Sequence, residues 1–145
     1  MQSKIIIRRV VKSDFENVRK FVDKWLSGHG PAELRKGGGN DYFVSKQQHR
    51  DYFKNCSVYI ALDNDNVIGR GVKEKTNILI HLLIDANYRG RGIGQKMMKI
   101  INPDIIRSKS DQSTGDPKKF YEKLGYKSVT PGKTGRKKNI ELLTK

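Results

Sequence analysis

The sequence predicts an α/β domain whose elements follow the order β-α-α-β-β-β-α-β-α-β-β. Three observations carry this. Apolar residues recur at helical spacing early in the chain, at Phe15, Val18, Val22 and Trp25. Short apolar runs with strand character follow over residues 57–62, 67–73 and 77–85. A glycine-rich turn, Arg89-Gly90-Arg91-Gly92-Ile93-Gly94, then joins the strongest of these runs to a second helical pattern.

Residues 4–11 read as the first strand. Ser13 and Glu16 have the spacing of a capping box, which opens a helix. Phe21 and Leu26 widen its apolar stripe into a core-facing side, and the helix ends near Gly28. Residues 28–44 hold Gly28, Gly30, Pro31 and Gly37-Gly38-Gly39, a loop longer than most connections and of a length often tied to function. Ser45 and Gln48 repeat the capping box and start a short helix toward Lys54. The strands over 57–62 and 67–73 are joined by a hairpin turn at Asp63-Asn64-Asp65-Asn66. Over 77–85, alternation places Ile78, Ile80, Leu82 and Ile84 on one face and Leu79, His81, Leu83 and Asp85 on the other.

The helix over 94–101 stops at Asn102-Pro103, and residues 104–108 form a short strand. Asp116-Pro117 supplies an N-cap and a proline at the first helical position, and Gly125 ends that helix. Strands over 126–130 and 139–143 close the chain around a basic loop, 131–138. Neither a repeat nor a linker divides residues 1–145, so one domain is expected.

Composition sets bounds. The chain has 145 residues and mean hydropathy −0.71, with no apolar run near the roughly 20 residues a membrane helix needs. The apolar segment at Ile5-Ile6-Ile7 is too short for a signal peptide. Cys56 is the single cysteine, which excludes an internal disulfide and a thiolate metal cluster and fits a cytoplasmic protein; no metal is expected. The net charge is +15, divided as +5 over residues 1–72 and +10 over 73–145. The excess lies with the glycine-rich turn. It suits an anionic cosubstrate, and nucleic acid is a possible partner.

Strand, glycines and helix start together make an anion site out of backbone. The spacing is G-x-G-x-G rather than G-x-G-x-x-G, so it departs from the dinucleotide fingerprint, and no P-loop pattern is present.

The stretch Leu82-Leu83-Ile84-Asp85-Ala86-Asn87-Tyr88-Arg89-Gly90-Arg91-Gly92-Ile93-Gly94 resembles motif A of the GNAT superfamily of N-acetyltransferases, with Arg89, Gly92 and Gly94 meeting [QR]-x-x-G-x-[GA]. Downstream, Phe120-Tyr121-Glu122-Lys123-Leu124-Gly125-Tyr126 resembles motif B, F-Y-x-x-x-G-[FY]. The resemblance covers the chain from about residue 57. It implies a mixed, mostly antiparallel sheet flanked by helices, with a variable acceptor-side half over 1–56 and a coenzyme-binding core over 57–145.

It further implies acetyl-CoA as cosubstrate. The pantetheine arm would run along Leu82, Leu83 and Ile84, and the pyrophosphate would sit on Arg89, Gly90, Arg91, Gly92, Ile93 and Gly94. Tyr121 matches the tyrosine that protonates the departing thiolate, a task open to a phenol of pKa about 10 within hydrogen-bond reach. Thr114 stands where relatives often carry an asparagine that serves the coenzyme. Ala86 and Pro117 also depart from the family pattern.

Attack on a thioester requires a neutral amine, so a proton must be removed. His81 and Glu74 are the candidates, and neither is assigned. Trp25, Tyr42, Phe43 and Tyr52 suit an acceptor site or the core equally. Three readings follow: an N-acetyltransferase acting on a primary amine; the same fold acting on nucleic acid or a protein bound to it, through 131–138 with Lys118, Lys119, Lys123 and Lys127; and a coenzyme-binding module without activity.

Overall fold

A computed structural model of the chain describes residues 4–26, 46–109, 118–130 and 140–145. The predicted loop over 28–44, Tyr42, Phe43, Thr114 and the basic loop over 131–138 lie outside the described residues, as does the side chain of Trp25. Among the described residues, seven strands form one sheet: β1 (Ile5–Arg9), β2 (Ser57–Asp63), β3 (Asn66–Lys73), β4 (Ile78–Ile84), β5 (Ile105–Lys109), β6 (Lys127–Thr130) and β7 (Ile140–Thr144). They lie in the order β1-β2-β3-β4-β5-β7-β6. All neighbours are antiparallel except β4 and β5, which are parallel. Four helices among the described residues flank the sheet: α1 (Phe15–Leu26), α2 (Lys46–Asn55), α3 (Ile93–Ile101) and α4 (Lys118–Lys123). The mixed, mostly antiparallel α/β architecture is the one the sequence predicts.

Each face of the sheet has its own core. On one face, Val18, Phe21 and Val22 of α1 bury against Ile60 and Leu62, with Tyr52, Phe53 and Leu83 around them. On the other, Ile93, Met97, Met98 and Ile101 of α3 pack with Ala61, Ile68, Leu79, Ile106 and Leu143. Helix α3 lies close to the sheet because β3 carries glycines beneath it. A Cβ at Gly69 would stand 3.1 Å from Met97 Sδ, and one at Gly71 only 2.5 Å from Ile101 Cδ1. The helix closes at Asn102, whose φ of 46° is left-handed, while Lys73 Nζ donates to the Ile101 carbonyl at 2.7 Å.

Two local expectations change. The start of α1 does not use the Ser13–Glu16 pattern. Lys12–Asp14 form a 3-10 turn, and Asp14 accepts the Val11 N–H at 2.7 Å while pairing with Arg8 at 2.8 Å. Arg8 favours the carboxylate over a neighbouring hydroxyl, because charge-assisted bonds are the stronger ones. Along β4, strict alternation fails. Val72 pairs with His81 but Lys73 with Leu79, so Ile80 forms a bulge. Leu79 therefore joins Leu82 and Ile84 in one core instead of facing away from them.

Candidate active site

β4 and β5 are paired only at Ile78↔Ile105 and Leu79↔Ile106. Beyond that point β4 stays with β3 as far as Ile84, and β5 stays with β7 as far as Lys109. The sheet parts there, just where the Ile80 bulge bends β4. The Asp85 N–H donates to the Ile68 carbonyl at 2.8 Å. Alternation then directs the backbone groups of Leu83 toward β3, and those of Leu82 and Ile84 toward the side that β5 has left. Such groups need partners. Arg89 Nε supplies one, donating to the Ile84 carbonyl at 3.3 Å. The slot suits an extended ligand that carries amides.

The slot ends at the glycine-rich turn. Asp85 accepts the Asn87 N–H at 2.8 Å and so caps a 3-10 turn, Ala86–Tyr88. The Tyr88 hydroxyl donates to Asp63 Oδ2 at 2.6 Å, fastening this turn to the β2–β3 hairpin. That bond raises the Tyr88 phenol above its ordinary pKa. Gly90 and Gly92 have φ of 78° and 79°, which side-chain-bearing residues rarely adopt. A Cβ at either would meet nothing within 4 Å, so the space over the turn is open. Gly92 is the N-cap of α3, whose first turn holds no acidic residue.

The first amides of a helix have no intrahelical partner, and its dipole favours an anion there. Arg89 and Arg91 are exposed beside them, Arg91 lying 4.9 Å from the Tyr88 ring centroid. Ile93 is buried, so it serves the turn through its amide alone. This arrangement fits a phosphate group.

Helix α4 braces the turn from behind. Phe120 Cζ lies 3.2 Å from where a Gly94 Cβ would stand. Tyr121 is 6% exposed and shares a cluster with Leu79 and Ile106, the last pair before the strands part. Gly125 ends the helix at a φ of 98°, and the buried Tyr126 donates to the Pro103 carbonyl at 2.6 Å.

A sequence profile of the acetyltransferase (GNAT) domain matches residues 54–128, just over half of the chain. The chain belongs to the GNAT acetyltransferase family. GNAT enzymes use acetyl-CoA. Similar solved structures agree on the fold. The PaiA N-acetyltransferase of Thermoplasma acidophilum, in complex with coenzyme A, is 17% identical with a TM-score of 0.68, covering 97% of each chain. PH1933 of Pyrococcus horikoshii is 22% identical with a TM-score of 0.67, covering 97% of this chain and 96% of its own. AAC(6')-Iy, in complex with the bisubstrate analogue CoA-S-monomethyl-acetylneamine, is 14% identical with a TM-score of 0.66, covering 93% of this chain and 99% of its own. No curated protein matches by sequence.

Among the described residues, no His, Cys, Asp or Glu cluster could hold a metal ion, and no helix is long and apolar enough to cross a membrane.

On the opposite face, one side chain escaped the sequence reading. Arg70 of β3 is 1% exposed and lies under α1 and α2. Its Nη2 donates to His81 Nδ1 at 2.7 Å, and its guanidinium sits 5.8 Å from the Tyr52 ring centroid. Burial pushes it down to about 10, so it stays charged at neutral pH. A charged guanidinium only donates, so His81 Nδ1 is the acceptor and its hydrogen is on Nε2. The available signal was an arginine between Gly69 and Gly71 inside an apolar strand. Glu74 sits in the tight turn before β4, where Asn77 N–H donates to its carbonyl at 2.9 Å.

Proposed function

We propose that the protein transfers an acetyl group from acetyl-CoA to a primary amine by direct attack, with Tyr121 as general acid. The observation that carries this reading is the parting of β4 from β5, ending on the open glycine turn. When bound, acetyl-CoA supplies a thioester to the acceptor amine. Leu82 and Ile84 offer backbone groups to the amide-bearing arm, while Leu83 between them keeps to the β3 ladder. The amides from Gly92 to Gly94, with Arg89 and Arg91, hold the pyrophosphate.

Tyr121 gives its phenolic proton to the departing sulfur, a role its place beside the β4–β5 fork supports. The coenzyme A complex of the Thermoplasma enzyme and the bisubstrate complex of AAC(6')-Iy support the donor assignment. The acceptor enters from the α1–α2 side, past Tyr52 and His81. His81 holds Arg70 through Nδ1, which disfavours that nitrogen as the base.

The test measures coenzyme A affinity by titration and thiol release from acetyl-CoA across a panel of amines. Binding and amine-dependent thiol release are expected, and Arg89→Ala with Arg91→Ala should weaken coenzyme binding by about tenfold or more. Absence of coenzyme binding defeats the reading.

A further inference from the structure

Arg70 carries a buried positive charge with no acidic partner among the described residues. Buried charges in proteins are normally paired, since an unpaired one loses its hydration without return. Among the described residues, the guanidinium meets the His81 ring and the face of Tyr52. Its Nε is buried without a hydrogen-bond partner.

The surroundings add positive charge rather than cancel it. Arg19 of α1 has Nε and Nη1 buried without partners, and it disfavours the charge on Arg70. Arg19 does pair with Asp23, but that carboxylate is on the solvent side, with a side chain 44% exposed. His49, fully buried, leaves Nδ1 without a partner and is held low mainly by desolvation, with Arg70 and Arg19 contributing. Glu74 and Arg107 both act on the Tyr52 phenol, and so offset one another there. Four buried nitrogens on three side chains thus lack partners, on the face of β3 and β4 that turns away from α3.

We infer that the acceptor amine also carries an anionic group, and that Arg70, seconded by Arg19, is its counter-charge. This rests on the acetyltransferase reading and names the acceptor class: an amine bearing a carboxylate or a comparable anion. The anion enters beside Tyr52 and His81, and its charge completes the pair that Arg70 lacks. Arg70 acts as a specificity determinant and takes no part in bond making. The site discriminates strongly, because an acceptor without the anion leaves the guanidinium buried and unpaired.

The experiment compares amines matched except for the carboxylate: amino acids against their carboxamides, by thiol release from acetyl-CoA. The carboxylate form should win by about tenfold or more in kcat/KM, mainly through KM. Arg70→Met should bring the two forms close to parity while coenzyme A affinity is unchanged. Arg70→Lys, which keeps a charge, should retain part of the preference and covers the case in which the methionine variant does not fold. A second measurement needs no turnover: calorimetric titration of the coenzyme-A-loaded protein with N-acetylated amino acids and with their amides.

Binding of the acids alone, lost in Arg70→Met, supports the anion site even if every amine fails to release thiol. That last result would count against the acetyltransferase reading instead. Equal use or binding of acid and amide by the unmodified protein overturns the proposal, as does a preference that survives Arg70→Met. So does the absence of both carboxylate-dependent turnover and carboxylate-dependent binding.

Discussion

Phe120 seats the edge of its ring over Gly94, with Cζ 3.2 Å and Cε1 3.6 Å from where a Cβ would stand. One motif thereby holds the other in place. Ile84 Cγ1, at 3.9 Å, closes the same space from β4. Gly94→Val should therefore push the ring and the start of α3 apart. We expect a loss of about 1–3 kcal/mol in stability and weaker coenzyme binding. Phe120→Ala in the same chain should recover part of the cost of the valine, and a double-mutant cycle by urea denaturation measures that coupling. Additive effects would contradict the seating.

Gly71 tests the closeness of α3. A Cβ there would stand 2.5 Å from Ile101 Cδ1. Gly71→Ala should cost about 1–3 kcal/mol by overpacking, and Ile101→Val, which removes that terminal methyl, should offset much of it. Thermal unfolding of the four proteins in the cycle provides the check.

Asp14 links β1 to α1 through Arg8 and the Val11 amide. The hydrogen bond from Arg8 is the main cause that holds its pKa below the ordinary carboxylate value. A lowered folded pKa stabilises the fold above the unfolded value, about 3.9, and that stability fades as pH falls through the folded one. Asp14→Ala should cost about 1 kcal/mol at pH 7. The gap between variant and parent should close toward acid. Urea midpoints across that range would show it, and a gap that widens toward acid would contradict the account.

Cys56 is half-buried, and desolvation, followed by Glu74, raises its thiol pKa. Less thiolate at neutral pH means slower attack on electrophiles. Labelling with a chromogenic disulfide should run slower than for free cysteine at pH 7.5, and the gap should narrow in urea.

Much of this fold was legible because its signals are local. The helical stripe of Val18, Phe21 and Val22 reports burial directly, and the apolar run of β4 marks a strand. The turn at residues 89–94 was readable because glycine marks backbone conformations other residues avoid, as at Gly90 and Gly92. What escaped depends on partners far along the chain. The Ile80 bulge is set by the β3 register, which alternation within β4 does not encode. Asp14 displaced the Ser13 cap because Arg8 reaches it from β1. Arg70 is buried by the packing of α1 and α2 over it, which no local pattern around residue 70 encodes.

The most direct measurement is the turnover of Tyr121→Phe at saturating acetyl-CoA, with coenzyme affinity measured in parallel. Removing a positioned general acid lowers kcat by about a hundredfold or more. We expect that loss with a coenzyme Kd within about twofold of the parent, because the glycine turn proposed to hold the pyrophosphate is untouched. A kcat equal to that of the parent would contradict the account.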